Sequence, residues 1–500
     1  MSSAPDSPQD LAGRVAKLTS ILDVAKAMAA ARDLDLLLPL IIHEAAKVVD
    51  ADRCTLFILD RERGELWSKV AQGAAREIRV QLGHGLAGTV AATGEVIAIQ
   101  DAYDDPRFNR TVDVATGYRT RTVLCVPMRD AQGEVTGVLQ ALNKHAGPFT
   151  DEDAELLLAL GGQAAGAIEN ALLHDEINRL FEGFVSASVV AIESRDPTTA
   201  GHSGRVAALT VGLANALEHE SAGPYARTRF NAQDVQEMRY ASLLHDFGKV
   251  GVREHVLVKA DKLYPQELDA LRARFALARK DRQLRSLERR LQVARQGHSL
   301  ESVERQETAQ LAAELREMDE MLEFILACNR PTVLPSGGFE RLTELGRLTF
   351  RDAWDTEQPL LVPREVERLS IPRGSLSNEE RREIESHVTH TFRFLSQIPW
   401  TRALRRVPDI AYAHHERLNG TGYPRSMPAE SIPVQSKMMA IADVYDALTA
   451  SDRPYKKAVP HPAALEILGQ EARNGMLDGD LLRIFVAAEV PRTALRPTAS

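Results

Sequence analysis

One long helix divides this chain into parts with different periodicities. Residues 151–195 read as a single helix, with Thr150 and Asp153 placed to cap its start. Before it the pattern is strand-like. Leu36–Val49 reads as a helix, followed by short strands over Arg53–Asp60, Glu65–Ala71, Arg76–Leu82, Val96–Gln100, Arg121–Met128 and Val135–Asn143. Turn signals at Glu62-Arg63-Gly64 and Ala131-Gln132-Gly133 separate them, which predicts an α+β sensor domain over 33–150. Upstream, Leu11, Val15, Leu18, Leu22 and Ala25 recur at helical spacing, giving an N-terminal helix within 1–32.

After residue 196 the strand signal fades and helical segments dominate. One stretch stands apart by its charge. Residues 266–296 carry nine Lys/Arg and four Asp/Glu, a net of +5, whereas 299–327 carry two Arg and eight acids, a net of −6. Leu268, Leu271, Phe275 and Ala278 form one apolar stripe; Leu311, Leu315, Met318, Leu322 and Ile325 form another. Gln296-Gly297-His298-Ser299 offers a turn, so the two helices are expected to pair as an antiparallel hairpin. Residues 331–375, rich in Pro and Gly, are expected to return irregularly. The hairpin and its return, 266–372, thus interrupt a helical domain made of 196–265 and 373–490, with a tail at 491–500.

The 500 residues suit about three folded units. A formal net charge of −9 argues against a general nucleic-acid binder. Cys54, Cys125 and Cys328 cannot build a disulfide framework and fit a reducing compartment. Met1–Asp10 has no basic n-region, and the apolar run Leu156–Ile168 is short for a bilayer, so a cytoplasmic protein without a membrane partner is expected.

The chemistry concentrates in the helical part. His245-Asp246 offers an imidazole and a carboxylate that can bridge two metals, and on a continuous helix Lys249 would share the face of His245. His414-His415-Glu416 reads as a helix end feeding the Gly/Pro loop Gly420–Pro424. Asp443 sits inside an otherwise apolar helix, where a buried carboxylate needs a cation or donors.

These motifs resemble the HD-GYP family, a branch of the HD-domain metal-dependent phosphohydrolases. The resemblance covers about 196–265 and 370–490. It runs through Arg195-Asp196-Pro197, Gly201-His202-Ser203, His245–Lys249, His387, His414-His415-Glu416, Gly422-Tyr423-Pro424, Asp443 and Arg453-Pro454-Tyr455-Lys456. It implies an all-helical domain that hydrolyses cyclic di-GMP, to pGpG or GMP, at a cluster of iron or manganese ions. Carried over by position, it makes His202, His245, Asp246, His387, His414, His415 and Asp443 metal ligands, with Asp246 bridging. Asp246 and Lys249 would be catalytic, and Lys249, Arg453, Lys456 and Tyr423 would meet the substrate. His390 is the rival to His387, which shares a helix face with Glu383. The family's three-metal members carry Asp-x-Glu before the first His. Here that frame reads Asp196-Pro197-Thr198, so the resemblance implies two divalent metals, with Glu193 pointing elsewhere.

Residues 33–172 resemble a GAF domain, particularly those of cyclic-nucleotide phosphodiesterases and cyclases. Asp101-Ala102-Tyr103, Arg107-Phe108-Asn109, Gly117–Arg121 and Asn143-Lys144 with Phe149 carry the likeness. Asn143, Lys144, Phe149 and Asp153 match a signature that accompanies cyclic-nucleotide binding, whereas Ala154 stands where that signature ends in an acid. The expected fold is therefore multidomain: an α+β GAF sensor plus an all-α HD-type phosphohydrolase with a helical-hairpin insertion. The expected function is a GAF-regulated cyclic di-GMP phosphodiesterase. The alternative is a non-catalytic cyclic di-GMP receptor or protein-docking module. Near-heptad stripes on 11–31 and on 151–195 (Leu156, Leu160, Ala164, Ala167, Ala171 and Asn178) predict a homodimer, the second stripe suiting equally a helix packed on its own domain, and the hairpin is a candidate surface for a protein partner.

Overall fold

The computed structural model describes residues 26–28, 33–68, 77–195, 200–296, 300–450 and 458–495. Most of the helix expected over 11–31, residues 297–299 of the hairpin turn, residues 196–199, and Arg453 and Lys456 lie outside the described residues. The chain forms two compact units, residues 1–183 and 184–500.

The first unit is built on one antiparallel sheet. Helix α1 (Leu34–Val48) starts where the Asp33 carboxylate accepts from the Asp35 N–H at 2.8 Å. The strands are β1 (Ala51–Asp60), β2 (Glu65–Ser68), β3 (Ile78–Gln81), β4 (Ile97–Ile99), β5 (Val123–Arg129) and β6 (Val135–Lys144). Helices α2 (Gly85–Thr93) and α3 (Thr111–Thr116), which the sequence pattern did not announce, sit between them in the chain. The sheet order is β3-β2-β1-β6-β5-β4, with Phe57 level with Val138 and Val126 level with Leu139. Alternation sorts the side chains: Cys54, Leu56, Leu124, Val126, Leu139 and Ala141 join one core, whereas Phe57, Val123, Cys125 and Val138 join a second core with α2.

Helix α4 (Asp151–Arg195) is continuous, and Thr150 and Asp153 cap its start: the Thr150 hydroxyl donates to the Asp153 carboxylate at 2.9 Å. Its first turns do not await a partner. Leu156, Leu160, Ala164 and Ala171 are buried in the first core with Leu37, Leu38 and Ile41 of α1. The stripe read as a candidate dimer seam therefore closes its own domain. A different set is exposed further along: Leu173, Ile177, Leu180 and Phe184. By length and composition α4 is the one helix among the described residues that could cross a membrane, and half of its apolar window is buried inside the protein.

The second unit is helical. It begins with α5 (His202–Leu217), α6 (Ala232–Leu244), a 3-10 turn (Phe247–Gly251) and α7 (Glu254–Leu257). The insertion follows as α8 (Pro265–Arg295) and α9 (Leu300–Asn329), paired as expected. Leu271, Phe275 and Ala278 of α8 meet Met318 and Ile325 of α9, and Arg289 reaches Glu307 at 3.0 Å. The return is not irregular. It contains α10 (Gly338–Leu345), a hairpin of β7 (Thr349–Arg351) and β8 (Glu357–Pro359), and α11 (Pro363–Leu369). Leu342, Phe350, Leu361 and Leu369 complete a core that belongs to the insertion itself. The domain resumes with α12 (Asn378–Glu385), α13 (His387–Leu395), α14 (Val407–Tyr412), α15 (Val434–Thr449), α16 (His461–Arg473), α17 (Gly479–Ala487) and α18 (Val490–Ala494).

The two chain segments at the base of the insertion lie side by side. The Ser375 hydroxyl donates to the Lys259 carbonyl at 3.1 Å. Fully buried Lys262 donates to the carbonyls of Leu369 and Ile371 at 3.0 and 2.7 Å, a cation at the carboxyl end of α11. Glu380 gathers the rest: its carboxylate accepts from Lys259 at 2.7 Å, Tyr264 at 2.8 Å and the Ser377 N–H at 2.9 Å. Burial alone would raise its pKa, but these donors outweigh it and hold it at about 2.

Two outcomes follow from this packing. Leu160→Glu places a charge in a closed core and is expected to destabilise the first unit by more than about 3 kcal/mol, whereas Leu36→Glu, at an exposed position of α1, changes its stability by less than about 0.5 kcal/mol. Urea unfolding of both variants measures this. Glu380 binds its proton more weakly folded than unfolded. Its contribution is therefore complete above the ordinary carboxyl value and is lost as pH falls from about 4.5 toward 2. Urea midpoints between about pH 5 and pH 3 are expected to fall less steeply for Glu380→Gln than for the wild type.

Candidate metal centre

Five imidazoles and two carboxylates converge in the second unit. Helix α6 stops at Leu244, and His245 caps it. Asp246 leaves the helix at φ −96° and ψ 5°, so His245 and Asp246 are not neighbours on one helix, and Lys249 lies on the following 3-10 turn rather than on a face shared with His245. The break lets Asp246 face two ways. Its Oδ1 is 3.2 Å from His387 Nε2, while its Oδ2 is 3.5 Å from His245 Nε2 and 3.8 Å from His202 Nε2. Lys249 Nζ pairs with Oδ2 at 2.8 Å.

Close packing fixes this turn against α13. A Cβ on Gly248 would stand 1.9 Å from the His387 carbonyl oxygen, so only glycine allows the approach. Buried Thr391 clamps both sides: its hydroxyl accepts from the Gly248 N–H at 2.8 Å and donates to the His245 carbonyl at 2.9 Å. His387 thereby joins the cluster. His390 stands by Gly251, and Glu383 pairs with Arg253 through its carboxylate, away from the cluster.

His414 and His415 follow the end of α14, and Asp443 enters from α15. Asp443 Oδ1 is 3.2 Å from His202 Nε2, and Oδ2 is 3.9 Å from His415 Nδ1. Three overlapping groups could each hold a metal ion: His387, His414 and His415; His202, His245 and Asp443; His245, Asp246 and His414. Their donor atoms lie within 4.8 Å of one another. Together they comprise the seven residues singled out from the sequence. Glu193 is not among them; its carboxylate accepts from the Gly201 N–H at 2.9 Å.

The orientation of the rings suits ligation. His245, His387 and His414 each aim Nδ1 at a backbone carbonyl three residues back, at 2.7, 2.6 and 2.6 Å. With Nδ1–H donated there, Nε2 is a lone pair aimed into the cluster. The Nε2 atom of His414 is buried without a hydrogen-bond partner, as expected of a ligand atom for a cation, and that of His387 faces Asp246 Oδ1 at 3.2 Å. Burial, reinforced by neighbouring histidines, pushes His414 down to about 3 and His415 well below its ordinary value, so both rings are neutral at pH 7. Burial would lower His202 too, but hydrogen bonds from its ring to Asp443 and Asp446 raise it to about 9. Burial opposes ionisation of both aspartates, yet Lys249, His245 and His387 keep Asp246 well below the carboxylate range, and His202 does the same for Asp443.

Several contributors escaped the sequence reading. Asp446, one turn after Asp443, accepts from His202 Nδ1 at 2.7 Å and is gripped by Arg205 through Nε at 2.6 Å and Nη2 at 3.0 Å. Only the helical spacing of Asp446 from Asp443, and of Arg205 from His202, could have hinted at this. Buried Glu416 holds the Gly/Pro loop by accepting from the N–H groups of Arg425 and Met427 at 2.8 and 2.9 Å. That loop sets the Tyr423 ring 4.8 Å from the ring of His415.

The first unit holds a cavity of about 480 Å³ lined by Arg53, Arg79, Arg107, Phe108, Tyr118 and Thr120, among others. The four residues of the cyclic-nucleotide signature are not among those that line it. Lys144 pairs with Asp153, which also caps α4; Phe149 packs on the first core; Asn143 donates to the Tyr118 hydroxyl at 2.8 Å from behind the cavity wall. Their work is to fasten β6 to α4.

Comparison with known proteins separates the two units. The GAF domain family matches residues 33–168, and the HD domain family matches residues 359–481. The chain is a GAF domain followed by an HD domain. Its HD match takes in His387, His414, His415 and Asp443, and the structure adds His202, His245 and Asp246 from outside that span. The chain is 34% identical over 205 residues to the probable 3',5'-cyclic phosphodiesterase pde-5 of Caenorhabditis elegans, a match covering 37% of this chain and 28% of that protein. Among solved structures, the GAF domain of a phosphoenolpyruvate-protein phosphotransferase from Coxiella burnetii is 25% identical, covering 32% of this chain and 96% of that one, with a TM-score of 0.30. Free methionine-R-sulfoxide reductase from Neisseria meningitidis is 20% identical, covering 35% and 97%, with a TM-score of 0.29.

Asp446→Asn can no longer hold His202 as an Nδ1–H donor to a charged oxygen. Affinity for Mn²⁺, measured by chelator competition, is expected to fall roughly 10–100-fold while the fold is kept. Unchanged affinity would remove Asp446 from the account.

Proposed function

We propose that this protein is a metal-dependent phosphodiesterase that hydrolyses cyclic di-GMP, to pGpG or onward to GMP, under the control of its GAF domain. The observation that carries this reading is the convergence of His202, His245, Asp246, His387, His414, His415 and Asp443 in three overlapping groups of donor atoms. Imidazole and carboxylate donors of this kind suit two borderline divalent ions, iron or manganese. Such ions, when bound, neutralise a phosphodiester and make water a nucleophile at neutral pH.

The chain's own residues prepare the reaction. Asp246 turns one oxygen toward His387 and the other toward His245 and His202, so it would be the residue that bridges two ions. Lys249, anchored on Asp246, holds its ammonium group beside the cluster, where it would meet a non-bridging phosphate oxygen. Tyr423 forms a wall beside His415 for a base or ribose. Arg453 and Lys456 are proposed as further phosphate or guanine contacts on the strength of the sequence resemblance. The GAF cavity would take a cyclic nucleotide or another small ligand as the regulatory input. We place the protein in the cytoplasm, in keeping with three buried free cysteines, and as a homodimer. Its proposed seam is the exposed run Leu173, Ile177, Leu180 and Phe184, spaced by four, three and four residues.

Purified protein loaded with Mn²⁺ or Fe²⁺ is expected to cleave cyclic di-GMP and to contain about two metals per chain, as the family resemblance implies. Asp246→Ala is expected to lose metal and all hydrolysis together. Metal-loaded wild type that binds cyclic di-GMP and leaves it intact would establish a receptor instead. Cleavage of 3',5'-cyclic mononucleotides in its place would move the substrate class.

A further inference from the structure

The outer face of α8 carries an unpartnered seam. Leu277, Leu284 and Leu291 repeat every seven residues, with Leu287 between the last two, and each is 45–58% exposed. They point away from the Leu271, Phe275 and Ala278 stripe that closes the insertion's own core. Leu277, Leu284 and Leu287, together with the β7–β8 turn, line a shallow groove that includes Lys280, Glu288, Asp352 and Ala353. Trp354, on the same turn, is 84% exposed. A strict seven-residue apolar repeat is the pattern that keeps one face of a helix against another helix. Charges flank this seam closely, which disfavours a lipid surface.

We infer that this face is an isologous interface, in which α8 pairs antiparallel with α8 of a second copy of the chain about a two-fold axis at Leu284. Antiparallel pairing about that point puts Leu277 level with the partner's Leu291, and Leu291 level with the partner's Leu277. It also puts Lys280 level with the partner's Glu288, and Glu288 with the partner's Lys280. Both are exposed, and both stand one turn from Leu284. The charges thus match themselves only when the helices run in opposite directions. In parallel register Lys280 would stand level with Lys280 and Glu288 with Glu288. The groove beside the seam accommodates the facing helix, and Trp354 stands at its rim.

Cysteine scanning tests the register directly, because two cysteines bridge only when their Cα atoms are about 4.4–6.8 Å apart. Cys54, Cys125 and Cys328 are buried, so the full-length protein gives a low background. Leu284→Cys is expected to form a disulfide-linked dimer on the order of tenfold faster than Arg272→Cys, an exposed position on the same helix away from the seam. An equimolar mixture of Leu277→Cys and Leu291→Cys is expected to cross-link more than either alone. Lys280→Glu is expected to slow linkage through Leu284→Cys, and adding Glu288→Lys is expected to restore it. A Leu284→Cys protein that links no faster than the control would overturn the interface. So would a charge swap without effect on its linkage, or linkage of Leu277→Cys to itself in preference to Leu291→Cys, which would mean parallel pairing. A dimer made only through α4 or another face leaves position 284 unlinked and falls with the first of these outcomes.

Discussion

Gathering five imidazoles and two carboxylates into one buried pocket is an electrostatic problem before it is a chemical one. Protonated rings would repel each other, and ionised carboxylates would lack water. The fold answers ring by ring. His245, His387 and His414 give their Nδ1–H groups to carbonyls of their own helix ends, and His202 gives its own to Asp446. The first three rings are thereby left with one unprotonated nitrogen facing inward, whereas His202, raised to about 9, holds its inward proton against Asp443. Asp446 in turn is held by Arg205, so the charge that orients His202 is matched outside the pocket. The helix breaks at His245, Ser386 and Ala413 serve this arrangement, because a carbonyl at a helix end is available to a side chain as one inside the helix is not.

The same logic explains what the sequence could and could not reveal. Alternating patterns located all six strands of the GAF sheet to within a few residues, since each strand alternates between two buried or half-buried faces. Asp443 was legible as a carboxylate inside an apolar helix, and His245-Asp246 and His414-His415 as adjacent pairs, whereas His202 and His387 came only from the family resemblance. Their supports were not legible. Thr391 and Arg205 are ordinary helix residues until tertiary structure places them, and Gly248 is required only because α13 passes so closely. Helix α4 shows the opposite failure. Its small and leucine-rich stripe fits a partner helix and a sheet equally well, and periodicity alone cannot choose between them. The cyclic-nucleotide signature hid its contacts for a related reason: its residues form an ion pair, a cap and a hydrogen bond that only the folded domain brings together.

The insertion has a core drawn from both helices, the return helices and the short hairpin, with Leu263 joining it from the base. Its opposite charges, read in the sequence as the reason for pairing, are secondary to that core; the ion pairs lie along its edge, where each contributes about 0–1 kcal/mol. The polar contacts that count are at the base, where Lys262 and Glu380 are buried and fully engaged.

That closed base also bears on how the HD domain folds. Gly248 and Thr391, which clamp the metal cluster together, are 143 residues apart in sequence. The two strands of chain at the base, joined by Lys259 and Ser375, are 116 apart. Once the insertion has folded and its base has closed, the loop separating Gly248 from Thr391 shortens to 143 less 116, about 27 residues. By the logarithmic law of loop closure this lowers the entropic cost of bringing them together by about 1.5 kcal/mol. Early folding of the insertion turns a remote pairing into a local one, so the cluster can assemble at the pace of a much shorter chain.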